Sequence, residues 1–338
     1  MASNFVALIE GFYVETPEGL LFSVKGVHHP EGLVVAYLRY VPDPKGDRIR
    51  DPRRFRRVYD LDETQRYLRA NAPAYLNYIR SKELTLQSIP QERIIKVYDP
   101  TEKTRSIIRH PENRLEVETA KFVSSISTEG GVPVSEIGVS GSLLIGLAKS
   151  TSDIDLVIYG VENGRKTYDA VRKLRARTDW VRPYTLQDVV QVAAERWKDP
   201  ELFRLMLETE AGKVLHGKVD ETDYFIRLVP NPQEYRREIK SKPLGKVTLN
   251  VKVVDAGMSI FTPCIYIVDD CSYVEPSSGP EVTQLASYRG RFTEQASEGE
   301  TVEVRGSLEE VTYPEETVHR LMLGDTMDYV VTAPFGDR

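Results

Sequence analysis

The sequence predicts an α/β protein in three modules: an N-terminal α+β module over residues 1–110, an α/β core with a mixed sheet over 111–243, and a small all-β barrel of OB-like pattern over 244–338. Three observations predict this. The hydrophobic pattern passes from short apolar runs, to helices alternating with strands, to strands alone. The charge changes with it: residues 1–122 carry 20 Lys/Arg against 17 Asp/Glu, residues 123–243 carry 18 of each, and residues 244–338 carry 7 against 16. At the centre, "SEIGVSGSLLIGLAKSTSDIDLVIYG" reads as a strand, a Gly-Ser turn, a short helix and a second strand.

Within the first module, "FVALIEGFYVE", "LLFSVKG" and "LVVAYLRYV" read as strands, separated by turns at "TPEG" and "GVHHPEG". A basic connector, "PDPKGDRIRDPRRFRR", follows. A helix is expected over "DETQRYLRANAPAYLNYIRS", bent or divided at Pro73, with "SIPQERIIKVYDPTEKT" as an exit segment.

The core opens with a helix in whose first turn Pro111 would stand. Leu115, Phe122, Val123 and Ile126 fall at helical spacing, and "EGG" at 129–131 stops it. After the strand–turn–strand centre come helices over "ENGRKTYDAVRKLRART", "TLQDVVQVAAERW" and "DPELFRLMLETEAG". Thr185 with Asp188 forms a capping-box pattern, and Gly212 is a stop. A strand, "DYFIRLV", and a helix, "PQEYRREIK", close the core. In the third module "KVTLNVKVV", "CIYIVDD", "SYRGRFTE", "ETVEVRGSLEEV" and "DYVVTA" alternate with Gly- and Ser-containing turns, the spacing of a small barrel.

Composition narrows the function classes. The chain has 338 residues, a net charge of −6, 41% apolar and 28% charged residues. Generic affinity for nucleic acid is not written into the whole molecule. Two cysteines, Cys264 and Cys271, make neither a disulfide framework nor a zinc spacing. No basic leader with an apolar core opens the sequence and no apolar run reaches membrane-spanning length, so a cytoplasmic setting is expected.

The chemistry concentrates in two stretches. Residues two apart on a strand face the same side, so Asp153 and Asp155 project together while Ile154 and Leu156 point into a core. Adjacent carboxylates repel unless a cation sits between them. Mg²⁺ or Mn²⁺ suits such a pair, with substrate phosphate oxygens and waters completing the shell. Upstream, Gly141 lets a phosphate approach the backbone where a helix begins, and Ser142 adds a hydroxyl. Together these describe a nucleoside triphosphate site.

Gly141-Ser142, ten residues, then Asp153-Ile154-Asp155-Leu156 resembles the signature of the DNA polymerase β-type nucleotidyltransferase superfamily. The flanks "GLLFSVKGVHHPEGLVVAYLRYVPDPKG" and "SYRGRFTEQASEGETVEVRGSLEEV" resemble an uncharacterised archaeal group of predicted nucleotidyltransferases. The resemblance implies a polymerase β-like core and two-metal transfer of a nucleoside monophosphate from a triphosphate to a hydroxyl acceptor. The acceptor is an RNA end, a small molecule or a protein in such families. It also implies a third carboxylate on a later strand, for which Asp223 is the candidate, with Asp220 and Glu221 just before it. A solvated turn is the alternative for all three. Relatives carry a basic residue soon after Gly-Ser, whereas Leu143, Leu144 and Ile145 stand here. Lys149 is the substitute candidate, and Ser152 a further phosphate donor; both also fit a plain polar loop. The rival function is a non-catalytic nucleotide- or nucleic-acid-binding protein on the same fold.

Three further features carry candidate chemistry. The arginines of the segment 48–57 suit nucleic-acid phosphates, or else a solvated basic loop. Tyr288, Arg289, Arg291 and Phe292 form an aromatic-basic cluster in the barrel, and His28 and His29 sit in a turn where adjacent side chains diverge.

Overall fold

A computed structural model describes residues 7–332. They group into two compact units. One comprises the chain up to Arg80, Leu84–Val181 and Lys218–Tyr235; the other comprises Ser81–Glu83, Arg182–Gly217 and the chain from Arg236 onward. The boundaries expected near residues 110 and 243 differ from these.

The first unit begins with an antiparallel sheet. Its strands are β1 (Tyr13–Glu15), β2 (Leu21–Val24), β3 (Leu33–Pro42), β4 (Arg48–Arg50) and β5 (Arg53–Arg57). After helix α1 (Leu61–Asn71), capped by the Asp60 carboxylate, come β6 (Leu76–Ile79), β7 (Leu84–Pro90) and β8 (Lys96–Tyr98). The strand order is β4-β5-β3-β2-β1-β8, with β7 also paired to β3. Two helices follow, α2 (Pro100–Arg109) and α3 (Arg114–Gly130). The Asn113 side chain caps α3, and Gly131 ends it in the left-handed region.

The central sheet takes β9 (Ile137–Val139) and β10 (Ile154–Tyr159), joined through the short helix α4 (Gly141–Leu144). Helix α5 (Val161–Arg177) follows. Two short strands, β11 (Val181–Arg182) and β12 (His216–Val219), stand where the chain passes between units, and β13 (Thr222–Val229) runs parallel to β10. Both faces of β10 are covered, which explains its nearly unbroken apolar sequence. Ile154, Leu156 and Ile158 face the helices, where the Phe122 ring of α3 lies 4.9 Å from Tyr224. Val157 and Tyr159, with Val229 of β13, join Ile9, Phe12, Phe22, Val24 and Leu38 in one core. The N-terminal sheet therefore covers the same face of β10 that carries the aspartates.

The second unit packs α6 (Leu186–Arg196) and α7 (Pro200–Gly212) against a β-structure of six strands: β14 (Lys240–Met258), β15 (Cys264–Glu275), β16 (Gln284–Ser287), β17 (Thr301–Thr312), β18 (Thr317–Met322) and β19 (Tyr329–Thr332). Five close a ring, β14-β15-β16-β18-β17 and back to β14, with β16 and β18 parallel. Trp197, Leu202 and Met206 from the helices share a core with Leu249, Val251, Tyr266, Phe292, Val304 and Leu321. The capping box of Thr185 and Asp188 is present.

Several elements correct the expectation. The first strand is confined to Tyr13–Glu15, and residues 5 and 6 of the expected run lie outside the described residues. The basic connector is the hairpin β4–β5. "DPTEKT" begins helix α2, and α3 starts at Arg114, beyond Pro111. "PQEYRREIK" is not a helix: the Glu234 carboxylate accepts from the Asn231 and Val161 amides at 2.8 and 3.0 Å, folding residues 231–234 into a turn that also caps α5. Gly290–Phe292 is a 3-10 turn where a strand was expected, and β18 was not anticipated.

Candidate functional site

The site is built on the ends of β9, β10 and β13. The Ser140 amide donates to the Asp155 carbonyl at 2.8 Å, and its hydroxyl donates to the Gly11 carbonyl at 2.6 Å. This holds the Gly-Ser turn against β10 on one side and the N-terminal sheet on the other. Gly141 then takes a φ of 59°, a conformation that favours glycine. A β-carbon added there would stand 1.9 Å from Asp155 Oδ2. The two halves of the sequence signature are thus in van der Waals contact. Ser142 is half-buried, and its hydroxyl has no partner among the described residues.

Asp153 is exposed and Asp155 is half-buried. Two arginines accompany them. Arg227 lies two residues beyond Phe225, the register partner of Asp155, and its Nη1 is 4.0 Å from Asp155 Oδ1. Its Nε is 3.7 Å from Oε1 of the fully buried Glu10. Glu10 in turn binds Lys25 Nζ at 2.5 Å and the Gly26 amide at 2.9 Å. Burial pulls the Lys25 ammonium down to about 8, against the opposing pull of Glu10. Burial also opposes the charge on Arg227 and Arg57, yet both hold their protons more tightly than usual. For Arg227 the cause is Asp155 and Glu10; for Arg57 it is Tyr40, Tyr59, Asp153 and Asp155. Arg227 was visible in the sequence only as a basic residue inside a strand. Arg57 was one of six arginines with nothing to single it out.

Asp223 lies on the Asp155 face of β13 by alternation, but its carboxylate pairs with Lys218 Nζ at 3.0 Å. Among the described residues, no group of three or more His, Cys, Asp or Glu is placed to hold a metal ion. Asp220 faces Lys121 at 3.8 Å. Lys149 is committed as well, its ammonium on the Asp47 carboxylate. Ser152 is buried and accepts from the Lys149 amide and from Arg48 Nη1, each at 2.9 Å, so its oxygen holds the loop together. Leu144 and Ile145 pack with Tyr13, Leu21, Tyr40 and Phe55.

Four of the six arginines of the segment 48–57 are engaged within the chain. Arg48 also donates to the Leu147 carbonyl at 3.1 Å. Arg50 forks onto both Glu15 oxygens at 3.1 Å and reaches the Tyr98 hydroxyl at 2.6 Å. Arg54 donates to the Gly46 carbonyl, and Arg56 pairs with Asp43 and Glu63. In the barrel cluster Arg291 and Phe292 are buried, with Arg291 donating to the Arg196 carbonyl at 2.6 Å, while Tyr288 and Arg289 are half-buried. His28 and His29 hold turns, through the carbonyls of Tyr235 and Leu8.

Residues 118–205 match the family model described as a nucleotidyltransferase domain. Over 331 residues the chain is 27% identical to an uncharacterized protein of Methanocaldococcus jannaschii, covering 94% of this chain and 95% of that one. No solved structure matches the chain. No helix among the described residues is long and apolar enough to cross a membrane.

Proposed function

We propose that this chain, with a nucleotidyltransferase domain at its centre, moves a nucleoside monophosphate from a triphosphate to a hydroxyl acceptor. The acceptor oxygen bonds the α-phosphorus, the bond to the β-phosphate oxygen breaks, pyrophosphate leaves, and the hydroxyl proton passes to water. The observation that carries the reading is the contact of the Asp155 carboxylate with Gly141 at the start of α4. It brings the carboxylate pair and the phosphate-accepting turn into one site. Asp153 and Asp155 fit one Mg²⁺ or Mn²⁺ whose remaining positions go to phosphate oxygens and water. Such an ion would offset the phosphate charge as the leaving group departs. The Ser142 hydroxyl is available to donate to the same phosphates.

A second metal needs a further carboxylate, and Asp223 is engaged with Lys218. That pairing favours a second reading, a non-catalytic triphosphate binder on the same fold. Incubation with each labelled triphosphate, Mg²⁺ or Mn²⁺ and a mixed acceptor pool decides. Transfer of label with pyrophosphate release, lost in Asp153→Asn/Asp155→Asn, supports the enzyme. Metal-dependent triphosphate binding without release supports the binder, and absence of binding overturns both. Asp223→Asn is expected to stay within a few-fold of wild-type turnover. A loss of about 10²-fold, the general acid–base scale, would restore it as the third carboxylate.

A further inference from the structure

We propose that Arg57 of β5 and Arg227 of β13 clamp the phosphate chain of the nucleotide. They would supply from two separate strands the positive charge that the residues after Gly141-Ser142 lack. The inference rests on the triphosphate reading above and adds the residues that recognise the phosphates. Leu143, Leu144 and Ile145 are buried, and the Lys149 ammonium is spent on Asp47. Arg48, Arg50, Arg54 and Arg56 are all tied to carbonyls, hydroxyls or carboxylates of the chain. Arg53 and Arg57 differ: both are exposed, and among the described residues no carboxylate or carbonyl is paired with either. Arg53 stands at the turn end of the hairpin, beside Gly19, which leaves Arg57, at the Tyr40 end, as the one near the aspartates.

Its position is fixed from two sides. Arg57 is the cross-strand partner of Tyr40, and its guanidinium lies 5.0 Å from the Tyr59 ring centroid. Alternation puts it on the same face of β5 as Phe55, which packs with Leu144 and Ile145 just beyond the Gly-Ser turn. Arg227 is held from behind by Glu10, whose own burial and bonds to Lys25 and Gly26 leave it little freedom. Guanidinium groups fixed in this way lose little on gripping an anion. The balance of charge agrees. Two aspartates alone would repel a polyphosphate, whereas two aspartates with two arginines make the pocket neutral before any metal enters. The clamp therefore predicts that part of the triphosphate affinity survives without a divalent ion.

The test measures binding of ATP and of inorganic tripolyphosphate, with Mg²⁺ and in a chelator, by wild type, Arg57→Gln, Arg57→Lys and Arg227→Gln. Arg57 is exposed, so Arg57→Gln is expected to keep the wild-type thermal midpoint. Its affinity for both ligands is expected to fall about tenfold or more, the scale of a charge-assisted hydrogen bond. Adenosine binding should not fall, and Arg57→Lys should recover part of the loss. Arg227→Gln should abolish the metal-free component. If wild type binds MgATP and Arg57→Gln binds both ligands equally well, the clamp is overturned and the triphosphate reading stands. If wild type binds no triphosphate under any condition, both fall.

Discussion

Gly141 has a positive φ, and the space its missing side chain would fill is taken by an oxygen of Asp155. The sequence shows a glycine before a helix, which suggests room for a phosphate. It does not show that the Asp155 carboxylate leans into that room, because the approach depends on how β9 and β10 pair. Both constraints act against Gly141→Ala: a left-handed backbone and a clash with Asp155. A loss of about 2 kcal/mol or more is expected in denaturant unfolding. The double variant Gly141→Ala/Asp155→Ala should recover the part due to the clash. Equal stability of the single variant and wild type would mean that the turn relaxes freely. The aspartate pair was legible because alternation along a strand is local. The arginines facing it were not, because which of six neighbouring arginines are tied down is decided by Glu15, Asp43, Glu63 and several carbonyls elsewhere in the chain.

Elements were legible where their buried faces are apolar. Helix α3 shows Leu115, Phe122, Val123 and Ile126 at the expected spacing, and all four are buried. Helix α2 buries Pro100, Thr104 and Ile107, so its stripe is mostly invisible to a hydrophobic reading. Strand β18 hides its alternation in Arg320, which is 1% exposed and paired with Glu309 and Glu238. The hairpin β4–β5 offers a single fully buried residue, Phe55, among its arginines. Ion pairing therefore supplements the apolar contact of Phe55 in docking that hairpin. Arg50 Nη2 donates to both oxygens of the nearly buried Glu15, and its Nη1 donates to the Ile145 carbonyl just after α4. Arg50→Gln is therefore expected to cost about 3 kcal/mol, because it removes the counter-charge from a nearly buried carboxylate and leaves it only the Tyr98 hydroxyl. Glu15→Gln should relieve part of that loss in the double variant. A cost below about 0.5 kcal/mol, the level of an exposed pair, would show that the clamp is ornamental.

At the scale of the whole molecule, the second unit carries an acid-sensitive centre. His216 is buried, with Nδ1 accepting from Arg196 at 3.0 Å and Nε2 donating to the Glu210 carbonyl at 2.7 Å. That arrangement suits the neutral ring, and burial, reinforced by Arg196, pushes its pKa down to about 3. The Glu210 carboxylate is lowered to about 2: burial opposes this, but Lys213 and Arg196 prevail. The unfolded chain takes up a proton on histidine near pH 6.5 and on glutamate near 4.5, where the folded unit refuses both. Stability therefore falls as pH drops from about 6.5, and falls further from about 4.5 toward 2. Thermal unfolding followed by fluorescence should show this, with His216→Gln flatter between pH 6.5 and 5. An unchanged slope in that variant would assign the acid sensitivity elsewhere. The division of the chain has a further effect, on the order of its making. The N-terminal sheet shares its core with Val229, and its unit is complete only at Tyr235, after Arg182–Gly217 of the other unit has been laid down. During synthesis the sheet can therefore meet Val157 and Tyr159 of β10 first, and closes its core with Val229 only after the intervening segment of the other unit has been made.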